Sequence, residues 1–549
     1  MLLTQPIQQS RDGRVVSLVW FSEHEAPADD VALFTSAGRE GVCVASRSIG
    51  WMGEDRHSDH HLGGGGLTRR YIWRHEADLG RLSEPWVGRC GTEIDGLWHL
   101  TDEVTVRPRP GEGEGLTALL ASDHQLMPNT VPCLQIAGEV LGDDLGAIFF
   151  AGDLVNAPDR ASEWFDTQAG TAFFASMQAR THYTGPDGQV WGGGALLQRA
   201  PLYTCAGNHE VTGRRDHADL TDRFRNTVPR EVAEACCPPE LTGRDRARWV
   251  EANSFTTRTY RAMFSLPEGP ERGLIYAVTV GNIRLISLFV TRPWRPARAA
   301  ADPAHRDMMS RYQESIAALG SMLDQGHGCF PFCSIADDSE QVRWLRAELA
   351  SPERAAADYT VVMMHEGPHG LGENVDPPFC DPERVELRDD EGRLEGVRYE
   401  YHQDHDLRRL VLAPLFDEFG VDLVLSGHSH LWNRFTSRAG VHYLETSNLG
   451  NSYGAHHQTS GRTRFTPPLP WGVDNALAQG DPGGLEPQYP SEVTLRGTDG
   501  VAHPFVASNR RSAFSALDSR TGVVSSWLID YRTPGGEVTL FDRFTLGRR

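Results

Sequence analysis

One stretch restricts the fold more than any other. Leu145-Gly146-Ala147-Ile148-Phe149-Phe150-Ala151 is an apolar run of strand length, closed by Gly152 and by a single carboxylate, Asp153. In open α/β sheets ligands sit outside the carboxyl ends of strands, so the run predicts a buried strand presenting Asp153 to a site. Taken alone, Gly-Asp after a strand is more simply a turn. The chain repeats the pattern, however, with other residue types that bind metals. Residues 116–122 end at Asp123, and residues 201–206 lead into Gly207-Asn208-His209-Glu210. Residues 359–364 end at His365, and residues 421–426 end in Gly427-His428-Ser429-His430. A lone histidine at a strand end is usually a hydrogen-bonded structural residue. The recurrence of such ends outweighs that reading.

Asp123 and Asp153, the Asn208 amide oxygen, and the imidazoles of His365, His428 and His430 suit one or two borderline divalent ions. Mn, Fe, Zn and Co fit such a set, whereas Ca or Mg sites would be all oxygen. One carboxylate can bridge two metals about 3.5–4 Å apart. Beyond an extended strand, residues two apart point the same way, so His428 and His430 are expected to reach one shared site.

Around these strand ends the chain divides. Residues 15–21, 31–35, 42–46, 71–75 and 97–106 read as short strands separated by turns, which predicts a small all-β sandwich over residues 1–112. The Pro- and Gly-rich residues 107–113 read as a linker. From 113 to 549 strands and helices alternate, which predicts an α/β domain. Residues 164–177 read as an aromatic helix, 274–280 and 283–290 as a hairpin turning at Gly281-Asn282, and 341–349 as an amphipathic helix with Val342, Leu345 and Leu349 on one face. Residues 367–409 and 454–510 read as insertions, the first over the site, and residues 523–546 return to strand-like alternation. His57-Ser58-Asp59-His60-His61, before four glycines, could bind metal but reads better as a loop. Cys329 and Cys333 lack a second pair for a zinc knuckle.

Gly152-Asp153, Gly207-Asn208-His209-Glu210, His365 and Gly427-His428-Ser429-His430, in this order, resemble the calcineurin-like metallophosphoesterases. The resemblance covers roughly residues 114–455. The β-rich front ending in Val104-Thr105-Val106-Arg107-Pro108, residues 341–349 and the closing 540–546 look closest to the purple acid phosphatase branch. The resemblance implies a two-sheet sandwich flanked by helices, preceded by an immunoglobulin- or fibronectin-like sandwich. It also implies a dinuclear centre hydrolysing a phosphate monoester or small phosphodiester through a metal-bridging hydroxide. Asp123 and His430 would bind the first metal, Asp153 would bridge, and Asn208, His365 and His428 would bind the second. His209 would be no ligand but would assist the leaving group as a general acid.

Two departures stand out. The family's first motif is commonly Asp-x-His, but here it is Asp123-His124-Gln125. Gln125 takes the ligand position with a weaker amide oxygen, and His124 should point away. Asn156 stands where purple acid phosphatases carry a metal-binding tyrosine, so a ferric–tyrosinate site is not expected. Asn156 could contact substrate or metal, though a turn-capping role is simpler. His369 could touch substrate or be a loop histidine.

The net charge of −21 argues against a nucleic-acid polymer as partner. All 53 basic residues are arginine, which excludes any lysine nucleophile or phosphate anchor. The first residues lack a basic and then apolar leader, and no apolar run reaches membrane-spanning length. Together with nine scattered cysteines, this gives the expectation of reduced thiols, no membrane and a cytoplasmic setting. Two rival readings remain, a C–N metallohydrolase and a weakly catalytic scaffold that lost a metal. The first would cluster aspartates, and only Gln125 favours the second.

Overall fold

Val16–Glu23 is buried on both faces and pairs with Ile72–Gly80, while Asp30–Thr35 buries Ala32 and Leu33, and these strands produce the front of the molecule. In the computed structural model two antiparallel sheets form there, one built on Val16–Glu23 and Ile72–Gly80, the other on Trp86–Ile94 and Asp30–Thr35. Val16, Leu18, Trp20, Leu33, Ala77, Cys90, Val104 and Val106 fill the space between them. This is the expected all-β sandwich. Leu97–Leu100 and Val104–Val106, read as one strand in the sequence, are two, and both pair with Trp86–Ile94. The structure describes all residues except 186–187, 216–218, 294–321, 325–326, 328–329, 373–382, 401–405, 456–482, 498–499 and 548–549.

Two mixed sheets make up the α/β half. In the first, Leu202–Thr204, Leu145–Phe150 and Thr117–Ala121 run parallel. The antiparallel tail strands Arg511–Asp518, Val523–Asp530 and Glu537–Thr545 complete it. In the second, Ile283–Ser287, Tyr359–Met363, Leu423–Ser426 and His442–Thr446 run parallel. Tyr276–Val280 and Trp432–Thr436 flank these antiparallel. Continuous runs such as Leu145–Phe150 and Tyr359–Met363 are apolar on both faces because both faces are covered. The hairpin turns at Gly281, whose φ of +60° suits glycine.

Helix Glu340–Leu349 buries Val342, Leu345 and Leu349, and the Ser339 side chain caps its start by accepting from Val342 N. The aromatic segment differs from the expectation of one helix. It forms Ala161–Phe165 and Phe173–Met177, broken where Asp166 leaves helical angles and Gly170 takes φ of +70°. The break lets Trp164 and Phe173 pack edge to face on Phe264, with Phe174 edge-on to Phe173. Within the first expected insertion, Glu383–Arg388 and Leu394–Glu400 form a hairpin; 373–382 and 401–405 lie outside the described residues, as does most of the second insertion. Cys329 lies outside them too.

A buried ion pair ties the two sheets together. Arg434 of Trp432–Thr436 donates through Nε and Nη2 to both oxygens of Asp542, at 2.8 and 2.9 Å, from the last strand of the other sheet. Trp432 Nε1 donates to Ser526 Oγ nearby. Removing one partner of such a pair strands a charge in the core, at a cost of about 3–5 kcal/mol. Asp542→Ala should therefore lower the denaturant midpoint markedly, and an Arg434→Met/Asp542→Leu pair should recover much of the loss. A midpoint unchanged by Asp542→Ala would show that the pair does not hold the sheets.

Candidate metal centre

All the strand ends singled out in the sequence meet at one edge of the two sheets. Asp123 follows Thr117–Ala121, Asp153 follows Leu145–Phe150, and Asn208 opens a short 3-10 turn after Leu202–Thr204. His365 follows Tyr359–Met363, and His428 and His430 follow Leu423–Ser426. One potential ligand atom each of Asp153, His365 and His428 lies within 4.8 Å of the others, and all three residues are buried.

The glycines of these motifs are steric requirements. A Cβ on Gly207 would stand 2.2 Å from Asp153 Oδ1, one on Gly427 2.4 Å from Asp123 Oδ2, and one on Gly152 2.9 Å from His365 Nδ1. The candidate ligands themselves sit on strained backbone. Asp123, Gln125, Asp153, His428 and His430 have φ between 37° and 82°, and among the described residues only three other non-glycine residues have positive φ. Each such residue costs about 1–3 kcal/mol, a cost that concentrates at functional sites. This geometry alters one expectation. His428 and His430 reach the centre from left-handed rather than extended backbone. His428 joins Asp153 and His365, while His430 Nε2 reaches Asp123 Oδ1 at 3.3 Å.

The hydrogen bonds fix the imidazole tautomers. His365 Nδ1 donates to Ala151 O at 2.7 Å, which leaves its Nε2 facing Asp153 Oδ2 at 3.2 Å without hydrogen-bond geometry. His430 Nδ1 donates to Asn451 Oδ1 at 2.6 Å, which leaves its Nε2 facing Asp123. Each pair thus sets a nitrogen lone pair against a carboxylate oxygen, and only a cation between them relieves the contact. A proton can serve: burial disfavours charge on His365, but Asp153 overrides it and lifts the imidazole to about 10. The same opposition raises His430 through Asp123. Burial alone would raise the Asp153 carboxyl, yet His365 and His209 hold it well below the usual range. Burial takes His428 down to about 4, so its ring is neutral and suited to ligation. The donor set therefore fits divalent metal ions.

The remaining residues divide into those that face this cluster and those that hold it. Gln125 Nε2 donates to Asp153 Oδ2 at 3.0 Å, and its Oε1 is buried without a hydrogen-bond partner. His124 points away, as expected, with Nε2 on Ser176 Oγ and its ring edge-on to Phe173. Asn208 Oδ1 lies 3.1 Å from His428 Nδ1. His209 donates its backbone N–H to Asp153 Oδ1 and its Nδ1–H to the Asn156 carbonyl. Asn156 donates its amide to Gln125 O and its N–H to Glu163, so it braces His209 and Gln125. His369 is buried, edge-on to Tyr443, beside a small cleft that His428 also lines. His57, His60 and His61 pair with Asp219, Asp166 O and Gly66 O and, among the described residues, form no metal cluster.

Sequence reasoning missed the supports. Glu210 accepts from the backbone N–H groups of Asp153, Leu154 and Gly207, binding two ligand turns with one carboxylate. Glu445 does the same for the third turn, accepting from Ser429 N, Ser447 Oγ and Asn433 Nδ2. Glu366, next to His365, is ion-paired to Arg292 and Arg408 and takes the Thr291 hydroxyl. Tyr453 stacks flat on His430 at 4.5 Å, and burial and then the two aspartates push its phenol to about 12, so it stays protonated. Asn451 and Tyr453 follow strand His442–Thr446, so a search of every strand end would have found them.

The two mixed sheets carry the potential metal-binding side chains at one edge, in the strand-end order read from the sequence. No family model matches the chain. Two uncharacterized proteins of Mycobacterium tuberculosis, from strains CDC 1551 / Oshkosh and ATCC 25618 / H37Rv, are each 29% identical over 180 residues, 32% of this chain. The match spans only 23% of the length of those relatives. Among solved structures, PhoD is similar over 99% of this chain and 91% of its own, at 12% identity and a TM-score of 0.49. A dimetal phosphatase from Danio rerio is similar over 78% of this chain and 98% of its own, at 12% identity and a TM-score of 0.32. Among the described residues, no helix is long and apolar enough to cross a membrane.

Gly207→Ala tests the steric account. The added methyl collides with Asp153 Oδ1, so the variant should stay folded yet lose most of its bound metal by elemental analysis. Full metal content in that variant would show that the close approach is not needed.

Proposed function

We propose that the chain is a metal-dependent phosphoesterase that hydrolyses a small phosphate monoester or phosphodiester at a dinuclear centre. The observation that carries the reading is the pair of lone-pair contacts, His365 Nε2 against Asp153 Oδ2 and His430 Nε2 against Asp123 Oδ1, at 3.2 and 3.3 Å. Each holds a cation between its members, a proton where no metal is bound, and the two pairs lie on different strand ends.

In this reading Asp123 and His430 would hold one metal, Asn208, His365 and His428 would hold the other, and Asp153 would serve both. Gln125 completes the first site through Oε1, the buried oxygen that lacks a partner, once its amide turns over. When bound, divalent ions supply Lewis-acid activation of water and of phosphoryl oxygens. Mn, Fe, Zn or Co suits the mixed nitrogen and oxygen donors.

The chain's own residues then orient and protonate. His209 is fixed twice, by its N–H on Asp153 and its Nδ1–H on Asn156 O, which leaves Nε2 as the nitrogen free to exchange a proton with a leaving oxygen, with burial opposing its charge and Asp153 favouring it. Asn156 acts by holding that ring, and the packing of His369 on Tyr443 makes it a wall of the cleft beside His428. Without lysine, further phosphate contacts must come from arginine, histidine or backbone N–H groups.

Two variants test the reading. Asp153→Asn should abolish turnover of aryl phosphates and lower metal content at both sites; an unchanged metal complement would sink the assignment. His209→Ala should keep its metal and lose on the order of 10²–10⁴ in turnover, less for nitrophenol than for alkyl leaving groups. Loss of metal instead would make His209 a ligand.

A further inference from the structure

A cavity of about 910 Å³ lies between the N-terminal sandwich and the α/β half, and none of the candidate metal ligands lines it. Such a volume suits a small molecule. Its apolar wall is aromatic: Phe255 meets Phe332 with ring centroids 4.8 Å apart, and Phe289 stacks on Phe332 at 6.1 Å and 10°. Arg230 lies over Phe255 at 5.7 Å, and Arg258 over Trp51 at 4.5 Å. Flat rings and guanidinium groups are therefore interleaved on the same surface.

The charge there runs against that of the whole chain, which carries −21. Among the arginines lining the cavity, Arg11 pairs with Glu76 at 2.8 Å and Arg261 with Glu271 at 3.8 Å. Arg47, Arg230 and Arg272 line it too, are exposed, and make no ion pair among the described residues. Arg47 comes from the sandwich, Arg230 and Arg272 from the other wall. Arg47 donates to Ala262 O at 2.7 Å. Burial, Arg272 and Arg11 oppose its charge, with Glu76 acting in the other direction. Six arginines and four glutamates line the cavity, so its lining is net positive and favours an anion. Guanidinium forks bind carboxylate, sulfonate or phosphate oxygens in pairs.

We propose that this cavity is a second binding site, separate from the metal centre, for a small organic anion with a flat apolar body. The ring packs on Phe255 and Phe332, and the acid group lies between Arg47 and Arg272 with Arg230 at the rim. An anion held there touches both the sandwich and the α/β half.

The test uses 2-naphthalenesulfonate, which has no phosphoester to hydrolyse, titrated by calorimetry into the whole protein. Methanesulfonate supplies the acid group without the ring. The aromatic anion should bind, and its affinity should fall about tenfold or more in Arg47→Gln/Arg272→Gln and in Arg230→Gln, and also at raised salt. Asp153→Asn should leave it unchanged, and methanesulfonate should bind far more weakly. Circular dichroism and unfolding midpoints confirm that the exposed arginine variants are folded. Absence of binding, or full affinity in both arginine variants, overturns the proposal. Binding lost in Asp153→Asn but kept in the arginine variants would place the anion at the metal centre and equally overturn it. Equal affinity for methanesulfonate would remove the ring from the proposal and leave it wrong as stated.

Discussion

Two carboxylates buried where the sheets meet, with imidazole nitrogens as their nearest ion-pair partners, set the terms for the rest of this fold. Asp123 and Asp153 are each about 1% exposed. A charge taken from water into such a site must be compensated, or it will take up a proton. Here the compensation comes from His365 and His430, each turned by a hydrogen bond on its far nitrogen so that its near one faces the acid. That orientation is what metal-binding histidines show, with a carbonyl or amide oxygen fixing the ring from behind. Without a metal the pairs hold protons, and with one they hold the ion.

Holding the ligands so close requires a frame that does not relax. Glycines at 152, 207 and 427 admit the approach, and left-handed backbone at the ligand positions aims it. Neither would persist if the turns could move. Glu210, Glu366 and Glu445 prevent this, each a buried carboxylate whose acceptors are saturated by neighbouring N–H, O–H or guanidinium groups. Such networks cost little when every member is satisfied and a great deal when one is missing. The price of the strained ligands is met by the strands and glutamates behind them.

Much of this could be read from residue order. Each parallel strand carrying a ligand announced itself as an apolar run, because a strand covered on both faces has no polar side to disguise it. The hairpin at Gly281 and the helix Glu340–Leu349 were equally legible from their turn residues and periodicity. What could not be read was conformation at the strand ends. Extended-chain reasoning brought His428 and His430 to a shared site, and they reach it from left-handed backbone, one beside Asp153 and the other beside Asp123. The break at Gly170 was hidden because the aromatic residues on either side suit a helix equally well. Glu445 was invisible for a different reason: it sits inside a buried strand, and only the tertiary fold shows that it accepts from Ser429 in the turn beyond the neighbouring strand.

The sheet order has a consequence for how such a chain is made. Asp123 sits at the end of Thr117–Ala121, and that strand has Leu145–Phe150 on one side and Arg511–Asp518 on the other. The residues that complete its hydrogen bonding are therefore made almost 400 positions later. Chains emerge from the ribosome at about 5–20 residues per second, so tens of seconds separate the two. The front sandwich, whose strands all lie before residue 107, has no such wait. Through that interval the strand bearing the first ligand presents an open apolar edge, and the centre cannot take shape until the tail arrives to cover it.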